Sequence, residues 1–455
     1  MKKIIIAFSC MLSTFLAQSQ INMVRYNDDF SYLKNDTVHK KNLEKLKYIS
    51  LSKVSNISFG GELREQYQYY CHPNFGDKPP GFTKNYTSQL LQRVMVHTNI
   101  EFGSKLRVFV QLGSTFRFFN PNPAIPEIDE NKLSVHQGFV DYHFQKKWLV
   151  RLGRQEIAYA SHRLLTFREG PNNRLAFDAA VIKYNSQKRK IDLFAMSPVI
   201  SGKGILDDES LKDLIIGVYA TGYIVPKKFL VDYYFLNLNT QRRKYNFVAG
   251  KENRQSYGVR IFSDNQKINY ELEGTYQSGK FNQSKILAYG ISADLNYKMI
   301  QKNNFIIGIG SNYMTGDKNK NDNQLNTYNL LFSKPQYGLT APIGATNLVN
   351  INPYFKINPN KKSNIYVSSY FMWRQSTKDG SYSPTGVEVR PASTDLVISP
   401  EKSIGTLLAI ESSYSLTRNL SFFVDGSYFF AGKYVRQSGT GKNITYLSFK
   451  GVYKF

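Results

Sequence analysis

The densest group of charged side chains in this sequence is an arginine-rich stretch over residues 151–174. It contains five arginines in 24 positions: Arg151, Arg154, Arg163, Arg168 and Arg174. A guanidinium group stays charged at every physiological pH and binds carboxylates through paired hydrogen bonds. The stretch therefore has the chemistry of a site that favours solutes bearing carboxylates.

Other kinds of chemistry find little support in the sequence. The six histidines are scattered, and neither HExxH nor GxSxG occurs. The two cysteines, Cys10 and Cys71, form no CxxC pair. Asp317 begins a run of oxygen-bearing side chains, but that run lacks the Gly and Glu of an EF-hand calcium loop. We therefore expect no catalytic residue, no metal and no cofactor.

The net charge and the N-terminal sequence indicate whether the chain binds nucleic acid or is exported from the cytoplasm. The 455 residues carry 59 basic and 34 acidic side chains, a formal charge of +25, which often indicates nucleic-acid binding. However, the Lys2-Lys3 pair is followed by an apolar run that ends before Ala17-Gln18-Ser19, a small-x-small cleavage pattern. Residues 1–19 are predicted to be a signal peptide, which argues against nucleic acid. Lipidation at Cys10 is the less favoured alternative, because Cys10 lies so close to the basic residues.

The rest of the chain divides into a short segment and a long repetitive one. Residues 20–56 are polar and mixed, and we interpret them as an N-terminal periplasmic segment. From residue 57 to residue 455, apolar and polar residues alternate with the period of two that is typical of β-strands. No later run of 18 apolar residues remains, which argues against a helical membrane protein. The pattern predicts eighteen strands, at 57–70, 88–102, 105–117, 134–145, 147–154, 176–185, 189–196, 214–225, 228–240, 255–264, 267–280, 286–299, 304–315, 346–358, 363–376, 403–416, 420–432 and 444–455.

The connections between these strands give a second signal. Tight connections alternate with others that are mostly long, such as 155–175, 241–254 and 316–345. Outer-membrane barrels have short periplasmic turns and longer outer loops. We predict an all-β transmembrane antiparallel β-barrel of about 18 strands over residues 57–455. A soluble secreted protein with several sheets is the alternative, but it gives no reason for the alternation.

In such a barrel, charged side chains on the wall are expected to face the lumen. A charge that faces lipid at the membrane midplane costs about 2–4 kcal/mol. Charged residues assigned to the lumen on this ground, each among apolar neighbours, are Arg64, Arg93, Arg107, Arg260 and Asp141. The alternative for each is a charge near a strand end, outside the hydrocarbon.

The arginine-rich stretch lies mostly in a predicted loop and is too polar to face lipid. We expect this loop to fold into the lumen, where its arginines would form a constriction that favours carboxylate-bearing solutes. The alternative is a solvated loop whose arginines pair with lipopolysaccharide phosphates or with Glu156 and Glu169.

Three blocks of the sequence resemble the alginate export family of outer-membrane porins. The N-terminal block consists of residues 25–33 (RYNDDFSYL), 46–51 (LKYISL) and 59–64 (FGGELR). The central block consists of residues 153–156, 163–164, 168–172 and 177–178, and the later block of residues 315–319, 326–329 and 337–338. The resemblance implies an eighteen-stranded barrel with a strongly electropositive lumen that passes an anionic uronate polymer.

Together these observations predict a passive, anion-selective porin of the bacterial outer membrane that conducts acidic polysaccharide or oligosaccharide. Its expected partners are that anionic saccharide, outer-membrane lipid and lipopolysaccharide, and the barrel-assembly machinery, which the aromatic last strand ending at Phe455 should recruit. We expect a monomer. A general or small-carboxylate uptake porin and a surface adhesion or structural barrel are the alternatives.

Overall fold

A computed structural model describes most of the chain. The described residues are 23–34, 42–78, 81–122, 128–159, 161–225, 229–245, 248–263, 267–299, 305–319, 321–333, 342–392 and 399–455. The predicted signal peptide lies outside these ranges.

Eighteen long antiparallel strands form a closed wall, which confirms the predicted barrel. In chain order they are β1 Ser55–Cys71, β2 Tyr86–Phe102, β3 Leu106–Phe118, β4 Asn131–Gln145, β5 Trp148–Gln155, β6 Phe177–Asn185, β7 Arg189–Pro198, β8 Asp213–Val225, β9 Phe229–Tyr245, β10 Val248–Phe262, β11 Ile268–Phe281, β12 Ser284–Met299, β13 Phe305–Met314, β14 Leu348–Asn360, β15 Ser363–Arg374, β16 Ser403–Ser415, β17 Leu420–Ala431 and β18 Ile444–Lys454. Each strand pairs with its neighbours in sequence, and β1 also pairs with β18, where Glu62 lies opposite Lys454.

Alternation along the strands separates a lipid-facing surface from a lumen. On β12, Tyr289, Ile291 and Leu295 are exposed, whereas Ala288 and Ser292, on the other face of the strand, are buried. The exposed apolar set continues on the neighbouring strands, as a barrel in a membrane requires. Among the described residues, no helix is both long enough and apolar enough to cross a membrane.

One long loop was predicted wrongly. Residues 241–254 continue the ladder, with β9 running to Tyr245 and β10 starting at Val248. Residues 241–244 are Gln-Arg-Arg-Lys, polar on both faces of the strand. The period-two signal depends on one apolar face, so a fully polar hairpin extension gives no such signal.

Several short elements lie outside the wall. The 3-10 helices are Arg25–Asn27, Ser31–Lys34, Asn42–Leu46 and Pro73–Gly76, and one α-helix is Lys433–Gln437. Short strands at Ile49–Ser50 and Gln324–Leu325 pair with β1 and β12, and Ser381–Tyr382 forms a hairpin with Glu388–Arg390.

At the long-loop end, apolar side chains of the loops pack together inside the barrel. Phe75, Leu164, Leu165, Leu331 and Tyr434 are among the buried members of one cluster that also includes wall residues. Arg374 is fully buried beside this cluster and donates to the backbone oxygens of Ser399 at 2.8 Å and Glu401 at 2.6 Å. The long loops therefore form an ordered, packed layer in the outer half of the barrel.

Candidate functional site

The segment between β5 and β6, residues 156–176, crosses the barrel lumen; we call it the central loop. At one end Asn172 donates to the backbone oxygens of Gln92 on β2 at 3.0 Å and Phe116 on β3 at 3.1 Å. At the other end Ser161 donates to Glu273 on β11 at 2.9 Å. Strands β2 and β11 lie on opposite sides of an eighteen-stranded barrel, so the central loop spans the lumen.

The first group of charges forms where the central loop meets β1 and β2. Arg93 donates to Glu62 and to Glu169, each at 2.6 Å. Arg64 donates to the backbone oxygen of Glu169 at 3.1 Å, and Arg174 forms ion pairs with Glu169 and, at 3.2 Å, with Glu156. The three guanidinium groups thus surround the Glu169 carboxylate.

Glu169 is held ionised by these neighbours. Burial alone would raise the pKa of its carboxyl, but the positive charges of Arg174, Arg93 and Arg64 outweigh burial and hold the pKa well below its usual range. The carboxylate fixes the central loop to the wall at every physiological pH. The loop is therefore inside the lumen, and two of its own carboxylates, Glu156 and Glu169, are ion-paired there.

The second group lies nearer the short-turn end. Asp141 accepts hydrogen bonds from Arg151 at 2.6 Å and from Arg107 at 2.9 Å. The guanidinium of Arg151 lies 4.2 Å from the centroid of the Tyr26 ring and 4.0 Å from that of the Phe139 ring, and the two rings meet edge to face. These two contacts help to hold the cation in one position in the lumen.

The Tyr26 ring belongs to the N-terminal arm, residues 23–34, which enters the barrel. Tyr26 donates to the backbone oxygen of Glu156 at 3.0 Å, and its own backbone oxygen accepts from Arg107 at 2.8 Å. Arg174 of the central loop donates to the backbone oxygen of Met23 at 3.2 Å. Wall, arm and central loop are thus joined through three of the arginines identified in the sequence. Neither the arm's entry into the lumen nor the role of Tyr26 is evident from the alternation pattern, because the arm contains no long strand.

The third group lies on the opposite wall. Arg260 donates to Asp232 at 2.8 Å and to Glu271 at 2.6 Å. Arg163 of the central loop forms ion pairs with Glu271 and Glu273, both at 3.3 Å. The side chains of Arg163 and Arg260, which share Glu271, are 16% and 11% exposed, so neither is fully enclosed.

Two further arginines of the stretch lie apart from these groups. Arg154 pairs with Asp178 at 2.8 Å and with Asp208 at 3.4 Å. Arg168 donates to the backbone oxygen of Ser333 at 3.0 Å, and burial, together with the charge of Arg243, lowers its pKa to about 10. The five arginines of the stretch therefore do not form one ring but are distributed along the lumen.

No metal site accompanies these charges in the described part of the chain, where no group of three or more His, Cys, Asp or Glu side chains could hold an ion. The wall carboxylates that pair with the arginines were only partly identified from the sequence. Glu62, Asp178 and Asp232 pair with arginines across neighbouring strands, and such a partner cannot be identified without the strand register. Asp208, the second partner of Arg154, lies in the loop between β7 and β8.

The family comparison covers most of the chain. A family model described as "Alginate export" matches residues 55–448. None of the curated proteins searched matches the chain.

Several solved structures share the fold. Acinetobacter baumannii OccAB1 has a TM-score of 0.60 at 11% identity, with 91% of this chain and 99% of that chain covered. A BenF-like porin from Pseudomonas fluorescens Pf-5 has a TM-score of 0.60 at 10% identity, with 88% and 98% covered. Pseudomonas aeruginosa OccK2 (OpdF) in complex with glucuronate has a TM-score of 0.58 at 9% identity, with 88% and 98% covered.

At these identities the likeness shows the fold, while the family match covers nearly the whole barrel. A closed barrel of this kind places the protein in the outer membrane as a non-enzymatic channel. The chain belongs to the alginate export family of outer-membrane porins.

Proposed function

We propose that this porin is anion-selective and passes acidic, uronate-type polysaccharide or its oligomers. The observation that carries the proposal is the shared carboxylate of Glu271, which lies between Arg163 on the central loop and Arg260 on the wall. Both side chains are partly exposed. A solute carboxylate can take the place of the Glu271 carboxylate on one guanidinium group while Glu271 keeps its ion pair with the other.

Ion exchange of this kind suits a pore. Passage requires that binding be favourable enough for entry and weak enough for release. Each contact in a partly wet site is worth about 1 kcal/mol or less, so a polyanion can move from one arginine group to the next. The partly exposed Arg163 and Arg260 supply two such positions, whereas Arg64, Arg93 and Arg174 are buried and hold the central loop to the wall.

A small-carboxylate uptake porin is the second candidate. The central loop crosses the lumen and the N-terminal arm occupies part of it, which favours a solute shorter than a polymer. The fold neighbour OccK2, solved with glucuronate, supports a monomeric uronate as a further possible solute.

Current recordings in planar bilayers test both candidates. Uronate oligomers of increasing length should interrupt the current, with interruptions that lengthen as the oligomer grows, whereas neutral oligomers of equal length should not. Blocks by monomeric uronate that do not lengthen with chain length would support the small-carboxylate porin. If the barrel conducts no current, both transport hypotheses are contradicted, and the surface adhesion or structural barrel is the alternative that remains.

A further inference from the structure

The short turns of the barrel carry an unusual set of exposed cations. We call these side chains the basic rim: Lys53, Lys105, Lys146, Lys147, Lys188, Arg189, Lys190, Lys267, Lys298, Lys361, Lys362 and Arg418. All are exposed, and each lies in or next to a short connection or in the residues just before β1. Among the described residues, none of them forms an ion pair with a carboxylate side chain.

Acidic side chains are nearly missing from the same level of the barrel. The described turns, together with the three strand residues on either side of each, contain a single acidic side chain, that of Glu101. Glu101 accepts a hydrogen bond from Asn56 at 3.0 Å. The long-loop end is different, because it contains many carboxylates and ion pairs such as Arg390 with Asp77 and Arg242 with Asp213. The positive charge at the short-turn end is therefore offset by almost no nearby carboxylate in the described chain, whereas carboxylates accompany the basic side chains at the long-loop end.

Aromatic side chains lie directly beside the rim. The rings of Phe144, Trp148 and Tyr184 form a continuous row, with centroids 6.1 Å and 4.9 Å apart. The Lys267 ammonium lies 5.2 Å from the centroid of the Tyr297 ring. Aromatic belts mark the membrane interface at the level of the headgroups, so the rim lies in the headgroup layer or just beyond it.

We propose that the basic rim binds the headgroups of anionic glycerophospholipids in the periplasmic leaflet. Short turns lie on the periplasmic side of such barrels, and a leaflet with anionic lipids attracts basic side chains held near its surface. Tight turns fix the cations at one height, where phosphate groups of surrounding lipids can contact several of them. The position of these side chains on the turn tips, next to outward aromatic rings, favours lipid over a solute in the lumen.

Reconstitution in vesicles of defined composition tests this inference. The full mature chain is folded into phosphatidylcholine vesicles and into otherwise identical vesicles that contain some phosphatidylglycerol. We expect the temperature at which the folded, heat-modifiable band disappears to be higher in the anionic vesicles. The difference should shrink in salt, because the Debye length falls from about 10 Å at 0.1 M to about 3 Å at 1 M.

A variant with Lys146, Lys147, Lys188, Arg189 and Lys190 changed to Gln should lose much of this lipid-dependent shift. Its matched control changes five exposed lysines at the other end of the barrel: Lys78, Lys84, Lys132, Lys251 and Lys442. The control should keep the full shift. For each variant, the quantity compared is the difference in unfolding temperature between the two kinds of vesicle. A general loss of stability lowers both temperatures and therefore does not change this difference.

Two outcomes would overturn the inference. One is an equal shift in the rim variant and the wild type. The other is a shift that soluble oligouronate produces in phosphatidylcholine vesicles and that the rim variant loses, since the rim would then serve the solute instead of the lipid.

Discussion

Arg25, in the N-terminal arm, binds the last residue of the chain. Its guanidinium donates to the backbone oxygen of Phe455 at 2.9 Å and to that of Gly61 on β1 at 2.6 Å. Phe455 and Gly61 also exchange two backbone hydrogen bonds, at 2.8 Å and 3.0 Å. One side chain therefore bridges the first and last strands at the seam where the barrel closes. A Cβ on Gly61 would lie 2.5 Å from the backbone oxygen of Met95 on β2 and 2.5 Å from the Phe455 ring, which explains why this position needs glycine.

Disruption of this seam should reduce barrel assembly. Deleting Lys454 and Phe455 removes the end of β18 and the acceptor of Arg25, and we expect less folded, heat-modifiable barrel in outer membranes. Normal amounts of folded barrel after this deletion would argue against the last strand as the part that recruits the assembly machinery.

Arg25→Ala should lower stability by about 3 kcal/mol, because it removes one partner of the buried Arg25–Asp28 ion pair. The measurement is the temperature at which the folded band disappears on heating. Arg25→Met combined with Asp28→Asn is the matched control and should lose less, since both charges of the ion pair are removed together. An equal loss in both variants would mean that the seam contacts, not the ion pair, carry the effect.

We expect the N-terminal arm to be held more firmly inside the barrel at alkaline pH than at neutral pH. Burial, followed by the charge of Arg25, lowers the pKa of Lys47 to about 8, and its ammonium lies over the Phe30 ring. Between about pH 8 and the ordinary lysine pKa near 10.4, Lys47 is more protonated when the arm is released than when the arm covers it, so attachment of the arm becomes more favourable as pH rises. Protection of the arm from protease should therefore be greater at pH 9.5 than at pH 7.

Lys47→Met should abolish this pH dependence, and Lys45→Met, at an exposed position of the preceding 3-10 helix Asn42–Leu46, should keep it. Protection that falls between pH 7 and pH 9.5 in the wild type would show that Lys47 is not the responsible group.

The barrel could be predicted from sequence because the alternation of apolar residues, the loop lengths and the positions of the charges all depend on where the strands contact lipid. The prediction of strand ends failed where the strands extend beyond the lipid, as in the polar hairpin in which β9 ends at Tyr245 and β10 starts at Val248. Partners such as Asp178 for Arg154 depend on strand register, which single-sequence alternation does not supply. The arm was missed for another reason: Tyr26 is fixed by contacts with Arg151 and Phe139, which are distant in sequence.

The N-terminal arm should narrow the conducting path. Tyr26 fills the space between Arg107, Arg151 and Phe139, so Tyr26→Ala should raise the single-channel conductance. Tyr32→Ala, at a more exposed position of the same arm, is the control. Conductance that does not change in Tyr26→Ala would mean that ions bypass the arm.

A reversible disulfide between the arm and the wall would test independently whether the arm moves during solute passage. In a Cys71→Ser background, Tyr26→Cys and Phe139→Cys place two thiols where rings now lie 5.2 Å apart. Oxidation should prevent passage of the longer uronate oligomers, and reduction should restore it. Equal passage in both states would show that the arm does not move aside for the solute.

Reconstituted channels should prefer anions to cations. Most lumen arginines are paired with carboxylates, so the preference should be moderate, and the basic rim should add to it by concentrating anions at one mouth. Selectivity should weaken as salt rises, because screening shortens the range of these charges. Reversal potentials in a salt gradient provide the measurement, and a cation preference would contradict the proposed function.

The last prediction concerns the central loop. Arg163 is shared between Glu271 and Glu273 on the wall, and Arg168 is held by Ser333. If these guanidinium groups exchange their partners for solute carboxylates, Arg163→Ala with Arg168→Ala should shorten uronate block. A contact worth about 1 kcal/mol corresponds to about fivefold in dwell time, and the uncompensated Glu271 and Glu273 should add repulsion. Neutral oligomers should be unaffected, and Lys318→Ala, at an exposed loop position, should behave as wild type. An unchanged uronate dwell time in the double variant would place the solute path away from the central loop.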